Sequence, residues 1–200
     1  MYKTLGIALA LTLAASPALA ADAKIGAAAP AFTLTDTAGV THNLADFAGK
    51  TVVLEWTNHD CPFVKKHYNG ENMQRQQADA TADGVVWLVV NSSAEGKQGH
   101  VSPAQADQIQ ADWKAQQTAY LFDTDGTVGQ AYGAKTTPHM YVIDPEGVLR
   151  YNGAIDSIPS ANVADIEKAE QYVEIALAEL AAGKPVSQSL TQPYGCSVKY

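Results

Sequence analysis

Two apolar runs, Thr51-Val-Val-Leu-Glu-Trp56, broken only by Glu55, and Val85-Val-Trp-Leu-Val-Val90, constrain this chain more than any other feature. Neither alternates apolar with polar residues, so each reads as a strand covered on both faces, in a sheet with helices above and below. A helical pattern follows each run. After the first, Pro62 suits the opening helical position, where its missing N–H costs nothing. Asn69-Gly70 interrupts that helix before it resumes through Met73 and Gln77. After the second, Ser102-Pro103 is a cap-plus-proline start, with Ile109 and Trp113 one turn apart on a single face. Tyr120-Leu-Phe122 is a short strand ending in the turn Asp123-Thr-Asp-Gly126. Met140–Ile143 and Val148–Tyr151 flank Asp144-Pro-Glu-Gly147 as a hairpin.

The ends of the pattern are also readable. Pro30–Asp36 and Val40–Leu44 alternate around Ala38-Gly39, which predicts an N-terminal β-hairpin. Val163, Ile166, Tyr172, Val173, Ala176, Leu177 and Leu180 form the apolar stripe of a final helix expected from about Pro159 to Ala182. Gly183 and Pro185 stop it. Residues 184–200 have no helical period and read as an extended C-terminal tail. The order is βαβαβ followed by ββα, an α/β fold whose mixed β-sheet is parallel first and ends in a hairpin.

Lys3, the apolar stretch from Leu5 to Ala15 and Ser16-Pro-Ala-Leu-Ala20 have the three parts of a cleaved export signal, in order. The stretch is too short for a permanent membrane anchor. The expected organisation is therefore a signal peptide over 1–20, one domain over 21–183 and a tail over 184–200 that carries Cys196. A periplasmic or secreted location follows, and it permits disulfides. The formal net charge is −8, and loss of Lys3 with the leader makes it −9. An acidic chain without a Lys/Arg cluster argues against nucleic acid or anionic lipid as a partner.

Two cysteines are too few for a disulfide scaffold. Cys61 lies where the first buried strand hands over to its helix, with its sulfur over unpaired backbone N–H groups. That placement favours the thiolate, the form that attacks disulfides and peroxides. His59, two residues earlier, would stabilise the thiolate when charged or shuttle its proton when neutral; a solvent-facing loop histidine is the alternative. Lys65 is one turn on, on the same helix face. Glu55 is a lone carboxylate within an apolar strand, expensive there unless it has a partner or a task.

Glu55, six residues before Cys61-Pro62, the helix that follows, and Thr136-Thr-Pro138-His-Met-Tyr-Val-Ile-Asp together resemble the thioredoxin superfamily, especially its exported redoxin and peroxiredoxin-related members of the alkyl hydroperoxide reductase/thiol-specific antioxidant type. The likeness spans roughly residues 25–182. It implies a thioredoxin-like fold with Cys61 as nucleophile, Glu55 as proton acceptor, and Pro138 as a cis-proline that, with Thr137 and Pro62, shapes the substrate-binding surface.

Thioredoxins place a resolving cysteine three residues after the nucleophile, where this chain has Val64. Resolution then falls to Cys196 or to an outside thiol; a static disulfide and two independent thiols are the alternatives. The expected activity is thiol–disulfide oxidoreduction on a protein disulfide, with an external thiol reductase as partner. No organic cofactor is required, because the electrons reside in the thiols. Thiol peroxidase activity is the alternative. The peroxiredoxin threonine and proline positions hold Asn58 and Leu54, and the mature chain has only Arg75 and Arg150 to hold a peroxide. Copper carriage through His59, Cys61, His67, His139 and Cys196 is a third reading. Lys65, which stands where copper carriers of this fold have their second cysteine, disfavours it, so no metal site is assigned.

Overall fold

The computed structural model describes residues 23–200; the expected leader lies outside them. A seven-stranded sheet has the order β2-β1-β5-β4-β3-β7-β8, built from β1 (Thr33–Asp36), β2 (Thr41–Asn43), β3 (Val52–Trp56), β4 (Val86–Asn91), β5 (Ala119–Phe122), β7 (His139–Ile143) and β8 (Leu149–Gly153). β3, β4 and β5 run parallel, and an antiparallel hairpin closes the sheet on each side. A second, two-stranded sheet joins β6 (Thr136–Thr137) to β9 (Cys196–Ser197).

The alternation of the strands divides the core in two. Val53, Trp87, Val89, Met140 and Val142 pack with Val64, Tyr68, Met73, Ala106 and Val173. These come from α1 (Pro62–Asn69), α2 (Asn72–Ala82), α3 (Pro103–Trp113) and α5 (Tyr172–Ala181). Val52, Leu54, Trp56, Leu88 and Val90 face the other way, toward Phe32 and toward Val128 and Tyr132 of α4 (Thr127–Tyr132). Both faces of β3 and β4 are buried, as their non-alternating, largely apolar sequences require. α1 and α2 part at Gly70 and Glu71, and Glu71 takes φ 56°. Ser102 and Gln105 cap the start of α3 reciprocally.

Two expectations change. The single helix expected over 159–182 is instead a 3₁₀ turn, Val163–Lys168, followed by α5. Between them the backbone is drawn into pairing with residues 155–157. Ser157 N–H donates to Glu170 O at 3.0 Å and Tyr172 N–H to Ile155 O at 3.1 Å. The apolar stripe is thereby shared by two elements: Val173 and Ala176 enter the core, while Val163 and Ile166 cover Gly70. Second, the Asp123–Gly126 turn opens directly into α4. Buried Asp123 accepts from Val128 N–H at 3.0 Å and Gly129 N–H at 2.8 Å.

Candidate active site

Cys61 is the N-cap of α1, with extended backbone (φ −69°, ψ 123°) and Pro62 as the first helical residue. Its side chain is fully buried, whereas Pro62 is exposed. The Thr137–Pro138 peptide bond is cis and brings the Thr137 carbonyl to the thiol, which donates to it at 3.0 Å. β9 runs antiparallel to β6 with Cys196 opposite Thr137. The Cys196 N–H therefore points at the Cys61 sulfur, 3.4 Å away. Both cysteines are free thiols.

Burial pushes the Cys61 thiol up. The nearby Cys196 thiol, the backbone N–H of Val64 at the start of α1 and the Cys196 N–H favour the thiolate, outweigh burial and hold the group below its ordinary value of 9.0. The Cys196 thiol is pushed up to about 11 by burial and by the neighbouring Cys61 sulfur. The pair is therefore polarised: Cys61 is the thiol that ionises first, and Cys196 retains a proton to donate to it.

Glu55 lies on β3 in the same orientation as Val53, and so on the Cys61 side of the sheet. It is fully buried. Tyr68 Oη donates to its Oε1 at 2.9 Å; Trp87 Nε1 (2.9 Å) and Gln77 Nε2 (3.1 Å) donate to Oε2. Desolvation nevertheless dominates these donors and raises its pKa to about 7.

The remaining candidates disperse. His59 is half-buried with Nε2 3.6 Å from Asp60, and it makes no hydrogen bond to Cys61. Lys65 is 3.8 Å from the same carboxylate. Arg150 pairs with Asp144 past the far end of β7, the strand whose other end adjoins Pro138, and Arg75 pairs with Glu174 and Asp79. His139 is buried among fixed partners: Lys135 N–H donates to Nδ1, and Nε2 donates to Asn152 Oδ1 at 2.8 Å. Burial holds it down to about 4, so the ring is neutral near pH 7. The five residues considered for copper do not converge, and no cluster of three or more metal-ligating side chains exists among the described residues.

Sequence reasoning missed one group. Lys66, His67 and Asp156 are buried together beneath Tyr194 of the tail. Lys66 Nζ donates to Asp156 Oδ2 at 2.8 Å and Ile158 O at 3.1 Å. Asn72 donates to His67 Nδ1, His67 Nε2 donates to Tyr194 Oη at 3.3 Å, and Tyr194 Oη donates to Asp156 Oδ1. A lysine within a helix and a tyrosine near the end of the chain give no sign that they meet. Only the burial of Lys66 reveals it.

These features define a thioredoxin-like redoxin: a thiol at a helix start, facing a cis-proline, on the same side of the sheet as a buried strand carboxylate. The AhpC/TSA family profile matches residues 25–152, and the chain belongs to that family, a family of oxidoreductase enzymes. Among solved structures, it resembles an uncharacterized conserved protein from Geobacillus kaustophilus (28% identity, TM-score 0.77, covering 88% of this chain and 92% of that one). A hypothetical protein from Sinorhizobium meliloti 1021 has 23% identity and TM-score 0.75, covering 88% and 94%. A chain described as a thiol:disulfide interchange protein DsbE from Chlorobium tepidum has 25% identity and TM-score 0.54, covering 66% and 85%. A search of curated proteins finds no match.

Proposed function

We propose that this protein is an exported thiol–disulfide oxidoreductase in which Cys61 is the nucleophile and Cys196 the resolving thiol. The observation that carries the reading is the alignment of Cys196 against Thr137, which puts its N–H on the Cys61 sulfur. The Cys61 thiolate attacks a substrate disulfide R–S–S–R′, forming a Cys61–S–S–R mixed disulfide and releasing R′S⁻, which takes up a proton. Cys196 then gives up its proton and attacks the Cys61 sulfur, releasing R–SH and leaving a Cys61–Cys196 disulfide. Two electrons have passed from protein to substrate. An external dithiol reductant, itself oxidised to a disulfide, restores the starting state. Glu55, poised near neutrality, accepts and returns protons on the Cys61 side of the sheet. Pro138, Thr137 and the exposed Pro62 shape the substrate surface, and His59 borders it from the preceding loop.

The Chlorobium likeness supports a disulfide substrate, as does the absence of either arginine from the thiol. The signal-peptide pattern over 1–20 supports export of a domain over 21–183 with its tail. Among the described residues no helix is long and apolar enough to cross a membrane. The test is reduction of a protein disulfide by the dithiol protein, followed by non-reducing mass spectrometry. The wild type is expected to accumulate a Cys61–Cys196 disulfide, Cys196→Ser to stall as a mixed disulfide on Cys61, and Cys61→Ser to be inert. Turnover of hydrogen peroxide with no reduction of protein disulfides would overturn the assignment.

A further inference from the structure

The tail is built into the domain by sockets, not merely laid upon it. Thr191 Oγ1 accepts from Ala154 N–H at 2.9 Å and bonds Tyr151 Oη at 2.6 Å, in a space that exists because residue 153 is glycine. The Tyr194 hydroxyl enters the Lys66, His67 and Asp156 cluster, and its ring meets Phe63 edge-on at 5.7 Å. Gly195, at φ 133°, lies against the Thr137 carbonyl, where any side chain would collide. Val198 N–H donates to Lys135 O at 3.1 Å, and Ala94 N–H to Lys199 O at 2.8 Å. Tyr200 covers Gly126 and Gly129, and its hydroxyl donates to Ala134 O at 2.8 Å. Two stretches of the domain, at Gly153 and at Gly126–Gly129, thus provide side-chain-free floor for tail residues on both sides of Cys196.

The consequence is at Cys61, which has no solvent-accessible surface while the tail is docked. No disulfide can reach a sulfur enclosed by the Thr137 carbonyl on one side and the Cys196 N–H on another. We infer that residues 191–200 form a gate that must lift for substrate to meet Cys61, and that Tyr194 is its clasp. Tyr194 acts as a positioning residue: it touches no reacting atom, but its docking sets the open fraction of the gate and hence the observed rate at Cys61. This inference rests on the reading of Cys61 as the attacking thiol. It does not need Cys196 to resolve anything.

The test uses the full chain with Cys196→Ser throughout, so that failure of the redox pairing cannot enter. Tyr194→Phe removes the hydroxyl but leaves the ring and the Lys66–Asp156 pair. Gly195→Ala removes no contact and pushes β9 away from the Thr137 carbonyl. The readout is the rate of iodoacetamide alkylation at Cys61, followed by peptide mass spectrometry, with hydrogen exchange of β3 and β4 amides as the control for global unfolding. Both substitutions are expected to speed alkylation by about tenfold or more, Tyr194→Phe through loss of the hydrogen bond to the Asp156 carboxylate and Gly195→Ala through the collision of its Cβ with the Thr137 carbonyl, while β3 and β4 stay protected. Rates within about twofold of the parent in both variants, a change smaller than one ordinary hydrogen bond produces, would overturn the gate.

Discussion

Replacing Glu55 with glutamine removes the one ionisable group within β3, and its effect is predicted to depend on pH in a defined direction. Burial raises the carboxyl from its ordinary 4.5 to about 7, even with Tyr68, Trp87 and Gln77 donating to it. Below pH 4.5 the group is protonated folded or unfolded and makes no difference. Between 4.5 and 7 the folded protein holds a proton that the unfolded chain has released, so stability falls as pH rises. Above 7 the penalty is complete. A shift of this size corresponds to ~3 kcal/mol at 1.36 kcal/mol per pH unit. Glutamine has a cost of its own, because its amide nitrogen faces donors on Trp87 or Gln77, but that cost does not titrate. Urea unfolding of wild type and Glu55→Gln at pH 4.5 and 7.5 separates the two effects, and contributions from the histidines cancel in the difference. The variant should gain ~3 kcal/mol relative to wild type across that interval. A difference constant with pH would refute the raised carboxyl and remove Glu55 as a proton acceptor poised near neutrality.

Other consequences follow from the buried polar groups. Lys66→Met leaves the Asp156 carboxylate enclosed without its 2.8 Å partner and is expected to cost about 3–5 kcal/mol in urea unfolding. Lys66→Met with Asp156→Leu should recover most of that loss, and a double variant as unstable as the single one would contradict the pairing. His139 should remain neutral until the pH approaches about 4. Because its folded value lies below the ordinary 6.5, it withdraws stability as the pH falls from 6.5 through 4, and a ring signal assigned to His139, by its loss in His139→Gln, that titrates near 6.5 in NMR would count against its buried placement.

What could be read from the sequence was local. The apolar runs of β3 and β4 allowed only buried strands, Cys61-Pro62 could only open a helix, and Asp144-Pro-Glu-Gly147 could only turn a hairpin between two strands. Glu55 was conspicuous because a carboxylate among valines, leucine and tryptophan has to be accounted for. What could not be read depends on distant partners. The apolar stripe over 163–180 keeps its period through Ala169–Gln171, yet those residues pair with 155–157, and nothing local announces it. α4 is six residues long, contains Gly129 and is capped by an aspartate that looked like part of a turn. β9 is two residues long and has no period to detect, and Lys66 and Tyr194 meet across 128 residues. The tail looked extended, as it is; its sockets became visible only in the glycines that face it.

The central claim is that the two thiols are unequal, and it is most directly tested by the pH profile of alkylation at each cysteine of the reduced wild-type protein, resolved by mass spectrometry. Cys61 should react with a midpoint below 9.0 and Cys196 with one near 11, the two steps belonging to a coupled pair. Two coincident profiles at the ordinary thiol value, or a Cys61 midpoint above that of Cys196, would contradict the account.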